Sequence, residues 1–148
     1  MNNEEIKKKI LAFLNLHKLT VISTVDTENN KPEAACVAFA EKENLDLIFG
    51  TLNNSRKYKN LQTNQNVSFV IGWSDELGTV QYEGIARELS GDEAQENGEI
   101  MAIKKEKVRG YLTREDNRFF LVKPTWIRFV DKGISPEEVS EVNLFDGN

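Results

Sequence analysis

The spacing of apolar residues changes period along the chain. Ile6, Ile10, Phe13, Leu14 and His17 recur every three or four positions, which predicts a helix over residues 1–18 with one apolar stripe. Glu4 and Glu5 open it as its dipole favours, and Lys7, Lys8 and Lys9 read as a solvated face. From Leu19 the period falls to two and β-branched residues become frequent. Leu19 to Val25, the turn cluster Asp26 to Pro32 and Glu33 to Ala40 predict two strands joined by a turn. Leu45 to Thr51 is a third strand. Val67, Phe69, Ile71 and Trp73 alternate with smaller residues, predicting a fourth strand with Trp73 in the core. Thr79 to Leu89 predicts a fifth, bent or bulged at Gly84. Asp92 to Glu106 predicts a helix using Ile100 and Ile103, weakened by Gly98. Arg118 to Val122 and Trp126 to Asp131 predict two closing strands around Pro124. The acidic tail, 135–148, is a short helix or a loosely held segment.

Strands that follow one another without a helix after each disfavour a parallel βαβ sheet. The pattern predicts a mainly β fold, an antiparallel barrel of six to seven strands with two or three flanking helices, because closure removes exposed edges. No internal repeat or low-complexity linker divides the sequence, so one domain over 1–148 is expected. A chain of 148 residues buries roughly two-thirds of its surface on folding and needs no disulfide or metal staple.

Charge and composition narrow the chemistry. The 19 basic and 24 acidic residues give a net charge of −5, which argues against nucleic acid or an anionic membrane as a global partner. No apolar run approaches a membrane span, and the N-terminus lacks a secretory apolar region, so a cytoplasmic protein is expected. His17 and Cys36, each single in the chain, support no metal site, and no GxGxxG, GxxxxGK[ST] or GxSxG string occurs. His17 reads as a helix-end residue facing the last carbonyls. Hard chemistry would come from a borrowed cofactor.

The informative stretch runs from Phe49 to Leu61, FGTLNNSRKYKNL. A strand ends at Gly50-Thr51, a polar loop follows, and Ser55 stands where a helix N-cap belongs. Arg56, Lys57 and Lys59 then crowd the helix start, where the dipole opposes cations. A bound anion reverses the sign: backbone N–H groups, the Thr51 and Ser55 hydroxyls and two cations would converge on one phosphate. The alternative is a solvated helix with an ordinary cap.

The string FGT-x₃-SRK-x₂-NL, followed by N-x-VSFVI and Y-E-G-x-A, resembles the pyridoxamine 5'-phosphate oxidase-like group of FMN-binding split-barrel proteins, over roughly Leu19 to Phe129. The resemblance implies a split barrel in which Thr51, Ser55, Arg56 and Lys57 hold the FMN phosphate. It also implies that the backbone of Ala35, Cys36, Val37 and Ala38 lies against the flavin ring, that Gly50 and Thr79 stand near the cofactor, and that two chains form a homodimer with sites at the interface. The true oxidases carry Arg and Lys where this chain has Ala35 and Ala40, Tyr where it has Gly50, Gln where it has Thr79, and a closing Arg-Leu-x-Pro signature, against Asn143 to Asn148 here. The vitamin oxidase activity is therefore not expected, and the small general-stress-protein relatives are the nearer match. That implies an FMN-dependent oxidoreductase of unidentified substrate. A flavin-binding sensor or stress-response module without turnover, and a cofactor-free dimeric interaction protein, stay open.

Three other residues stand out. Cys36, among small apolar neighbours, reads as a buried, inert thiol. Trp126 and Arg128 share one strand face, where they line a substrate or cross-subunit pocket or form a surface cation–π pair. No residue is singled out as a general acid or base.

Overall fold

In the computed structural model, which describes residues 1–144, the Asn2 side chain caps α1 (Asn3–Asn15) by accepting from the Glu5 amide at 2.9 Å. The predicted stripe is buried at Ile10, Phe13 and Leu14, and Nδ1 of His17 donates to the Phe13 carbonyl at 2.9 Å, satisfying the helix end. Three strands follow, β1 (Leu19–Asp26), β2 (Lys31–Glu41) and β3 (Leu47–Leu52), then α2 (Arg56–Thr63). The chain continues through β4 (Asn66–Ser74), β5 (Gly78–Glu88), α3 (Gly91–Lys104), a 3-10 turn (Glu106–Tyr111), β6 (Asn117–Asp131) and β7 (Glu138–Asn143).

All the strand pairs are antiparallel, in the order β3-β2-β1-β4-β5-β6-β7. β6 is long enough to serve two partners on one edge. Its first half pairs with β3, from Asn117↔Leu52 to Val122↔Leu47, and closes a six-stranded barrel. Its second half pairs with β7, which is the additional strand. The mainly β barrel and its flanking helices are thus those the residue pattern predicts.

Phe39, Phe49, Phe69, Tyr82, Phe120 and Ile127 fill the barrel, with Phe49 and Phe120 stacked at 5.2 Å and 7°. The Tyr82 hydroxyl is within hydrogen-bonding reach of the Leu45 and Val122 carbonyls, at 2.8 and 3.2 Å. Burial raises its pKa well above the ordinary value, so the phenol stays a donor. β3 is apolar on both faces, because Leu47 and Phe49 point into the barrel while Ile48 lies under α3 with Ala40, Met101, Ala102 and Phe119. Gly98 lets α3 approach that layer: a Cβ there would sit 2.7 Å from Phe119 and 2.8 Å from Leu112.

Several local expectations are overturned, each for a physical reason. Arg118–Val122 and Trp126–Asp131 are one strand, because Pro124 faces Gly84 at a register shift that leaves Thr125 as the extra residue. Gly84 is bulged as expected, and a Cβ there would meet the Lys123 carbonyl at 2.6 Å. The tail is neither helical nor loose over 138–143: β7 takes the edge of β6 that β3 leaves open and buries Val142. Residues 145–148 of that tail lie outside the described residues. Trp73 is 64% exposed, because Gly72 at φ 74° and the irregular register between Ile71 and Ser74 break the alternation and turn its ring outward. Cys36 is exposed, since Val37 and Phe39 take the inward positions of β2. The helix after β5 stops at Lys104 and leaves Ile103 75% exposed, its buried face being Asn97, Gly98, Met101 and Ala102.

Candidate functional site

The end of β3 and the start of α2 are held by two short polar contacts. Thr51 and Ser55 share a hydroxyl–hydroxyl hydrogen bond of 2.7 Å, and Ser55 Oγ accepts from the Tyr58 amide at 3.1 Å as the helix N-cap. The amides of Arg56 and Lys57 have no acceptor among the described residues, as the geometry of a helix start dictates. Beside them opens a pocket of about 500 Å³, within the usual range for small-molecule sites.

Its walls come from several parts of the fold, with Leu19 of β1 among them. β2 supplies Cys36, Val37 and Ala38, and the β3–α2 connection supplies Gly50, Thr51, Asn54, Ser55 and Lys57. Met101 of α3, then Lys105, Lys107, Val108 and Tyr111, form another wall, and Asn117 and Phe119 of β6 complete it. A Cβ on Gly50 would stand 3.2 Å from Phe119, so the small residue keeps this wall open. No carboxylate among the described residues lines the pocket. Among the described residues none of Lys57, Lys105 and Lys107 makes an ion pair. Burial, and after it the adjacent Arg56 charge, lowers the pKa of the Lys57 ammonium from its ordinary value. A negative ligand there would act in the opposite direction and favour the charged form. Unpaired cations, hydroxyl donors and free amides beside an apolar surface suit a phosphate joined to a flat apolar body.

The structure divides the sequence-singled residues. Cys36, Val37, Gly50, Thr51, Ser55 and Lys57 meet in this pocket. Arg56 turns away: its Nη1 lies 2.8 Å from Glu33 Oε2, a carboxylate whose side chain is 8% exposed. Asn60 also donates to Glu33, at 2.9 Å, and to Thr24, at 2.9 Å. The Asn60 hydrogen bond first and the Arg56 charge next hold the Glu33 carboxyl below its usual range. Ala35 and Arg56 line a second cavity of about 90 Å³, which shares Lys57 with the larger one. Lys59 is 3.5 Å from Glu28, so the cation cluster is partly neutralised by carboxylates distant in sequence.

Thr79 is not brought to the pocket. It pairs with Val130 at the start of β5, and its hydroxyl lies 3.4 Å from the Ile71 carbonyl. Trp126 and Arg128 do share the outward face of β6, where Trp126 lines a separate opening of about 330 Å³ with Glu83, Thr125 and Asn143. Arg128 reaches Glu141 at 3.5 Å, while its buried Nε finds no acceptor among the described residues. Sequence reasoning missed Lys105, Lys107, Tyr111 and Asn117. The run KKEK at 104–107 was the available signal, and only the fold sets it beside Ser55.

Among the described residues no group of three or more His, Cys, Asp or Glu is arranged to hold a metal, and no helix is long and apolar enough to cross a membrane. The family model for pyridoxamine 5'-phosphate oxidase matches residues 6–131. General stress protein 26 of Bacillus subtilis (strain 168) is 25% identical over 136 residues, 90% of this chain and 94% of that protein. The crystal structure of general stress protein 26 from Bacillus anthracis str. Sterne superposes with a TM-score of 0.73 at 19% identity, covering 93% of this chain and 99% of that one. HutZ, the heme storage protein from Vibrio cholerae, superposes with a TM-score of 0.68 at 18% identity over 79% of this chain and 88% of its own. These structural likenesses are likenesses of fold.

Proposed function

The chain belongs to the pyridoxamine 5'-phosphate oxidase family, and on that premise we propose that its pocket binds FMN and that it works as a flavin-dependent oxidoreductase on an unidentified small molecule. The observation that carries this reading is the donor set: Thr51, Ser55, the α2 amides and a Lys57 that is unpaired among the described residues, beside an apolar wall to which those residues bring no carboxylate. In this reading the Ser55 cap holds the α2 amides toward the phosphate, and Lys57 supplies a charge-assisted contact. Val37, Ala38, Met101 and Phe119 exclude water from the flat ring. Bound FMN would supply hydride or electron transfer, and no side chain of the pocket is needed as a general base. Arg56 acts on Glu33 rather than on the phosphate, Ala35 lines the adjoining smaller cavity, and Thr79 would reach a cofactor through the second chain of a homodimer. Exposed Val70, Trp73, Leu77 and Ile85 on β4, β5 and their connection supply apolar surface for such a partner. A cytoplasmic location belongs to the same reading.

Haem is the second reading, favoured by the fold shared with HutZ and by the lysines, which would suit its carboxylates. Of the side chains that serve as haem ligands, Cys36, Met101 and Tyr111 line the pocket, while His17 lies elsewhere against Phe13. The visible spectrum of the purified chain and a fluorescence titration with FMN decide between them. A flavin spectrum with saturable binding supports FMN, and an intense Soret band on haem addition without FMN binding supports haem. A protein that binds neither is a cofactor-free interaction module. A flavin that no nicotinamide donor reduces marks a sensor or stress-response module without turnover.

A further inference from the structure

Two cations start α2, and one carboxylate decides which of them a ligand meets. Glu33 uses its two oxygens separately. Oε1 accepts from the Asn60 side-chain amide at 2.9 Å, while Oε2 lies 2.8 Å from Arg56 Nη1 and 3.5 Å from Lys31 Nζ. The Glu33 side chain is 8% exposed and that of Arg56 71% exposed. Packing therefore does little to hold the guanidinium, and the carboxylate fixes its direction. The pair resists exchange from the Glu33 side, because a nearly buried carboxylate that loses a partner keeps its desolvation cost. Both residues line the cavity of about 90 Å³, together with Ala34, Ala35 and Lys57. The two alanines put only methyl groups there, so a released guanidinium has room to turn toward Lys57, which borders both this cavity and the larger pocket. Lys59, the next cation of the segment, lies 3.5 Å from Glu28.

We propose that Glu33 is a specificity-determining residue of the pocket: it competes with the ligand's phosphate for Arg56, and so sets how strongly a phosphorylated flavin is preferred over an unphosphorylated one. This role rests on the flavin reading of the Thr51–Ser55–Lys57 end, and adds to it a residue that touches no ligand. With Glu33 charged, Arg56 is withheld and Lys57 alone of the two cations meets the phosphate. With that charge removed, Arg56 joins Lys57, and the gain falls on the phosphate and not on the ring. Glutamine is the informative replacement, because its carbonyl keeps the acceptor for Asn60 while its amide removes the acceptor for Arg56. A Glu33 that served only to hold the start of α2 would give the opposite sign, since loosening that start weakens the phosphate contacts.

The test is a fluorescence titration of the full chain with FMN and, separately, with riboflavin, using wild type, Glu33→Gln, Arg56→Ala and the double variant. Glu33→Gln should bind FMN about tenfold more tightly than wild type, the size of one added charge-assisted hydrogen bond. Its riboflavin affinity should stay within about twofold, since riboflavin offers Arg56 no phosphate. In the Arg56→Ala background the same change should leave FMN affinity where it was. An FMN affinity that is unchanged or weaker in Glu33→Gln overturns the assignment, as does a gain that persists without Arg56 or appears equally for riboflavin. If Glu33→Gln does not fold, Arg56→Ala decides alone. An FMN affinity within about threefold of wild type supports a withheld guanidinium, and a larger loss overturns it. Should neither flavin bind the wild-type chain, the flavin reading falls on its own, and inorganic phosphate becomes the probe. Phosphate bound by Glu33→Gln and not by the double variant then supports the role of Glu33, and equal binding or none overturns it.

Discussion

Arg56 and Lys57 are adjacent in sequence and face different tasks, so their alanine variants should fail differently. Lys57 lines the pocket without an ion-pair partner, and Arg56 lies 2.8 Å from a nearly buried Glu33 carboxylate. Loss of one charge-assisted contact costs about 1.5–3 kcal/mol, and about 1.4 kcal/mol corresponds to tenfold in affinity. Lys57→Ala should therefore weaken FMN binding by about ten- to a hundredfold. Its melting temperature without cofactor should stay the same or rise slightly, since a cation at a helix start opposes the dipole by about 0.3–1 kcal/mol. Arg56→Ala should show the reverse. FMN affinity stays within about threefold, and the cofactor-free protein melts lower, because Glu33 keeps only Asn60 and Lys31 as partners. Fluorescence titration and thermal melts of the two single variants measure both quantities. Equal losses of FMN affinity in the two variants, or a stability loss confined to Lys57→Ala, would refute the division.

Three further outcomes follow from the same contacts. Glu33 has its carboxyl pKa lowered in the folded state, so its stabilisation is complete above the ordinary glutamate range and fades as pH falls through the folded value. Glu33→Gln should flatten the acid side of the melting-temperature profile, and an unchanged slope there would contradict it. Ser55→Ala removes both the α2 cap and the partner of Thr51, at a cost of about 1 kcal/mol for the cap. Urea denaturation should show this with an unchanged m-value. Gly84→Ala places a Cβ 2.6 Å from the Lys123 carbonyl, and by the usual cost of overpacking should destabilise by about 1–3 kcal/mol. A neutral effect in denaturant titration would mean that the bulge yields freely.

The period of the apolar residues was enough to find most of the elements and the class of fold, but it divided β6 in two and missed β7. Helical spacing located α1, and alternation located β1, β2, β4 and β5. Alternation states which face of a strand is apolar; it does not state what covers the other face. That is why Trp73 reads as core and lies outside, and why Cys36 reads as buried and is exposed. It is also why Ile48 and Ala40 become buried only once α3 packs on them. The phosphate-like character of FGT-x₃-SRK was legible because cap, hydroxyls and cations sit within seven residues, a distance over which local geometry is nearly fixed. Local geometry does not reveal a partner far along the chain. Glu33 is 23 positions from Arg56, and Lys105 is 50 positions from Ser55, so both relations are set by strand pairing and barrel closure. By itself the sequence determined most of the barrel's elements and indicated one end of its pocket. The tertiary structure decided which cations face the pocket, because strand pairing and barrel closure bring Glu33 to Arg56 and leave Lys57, Lys105 and Lys107 without a carboxylate among the described residues.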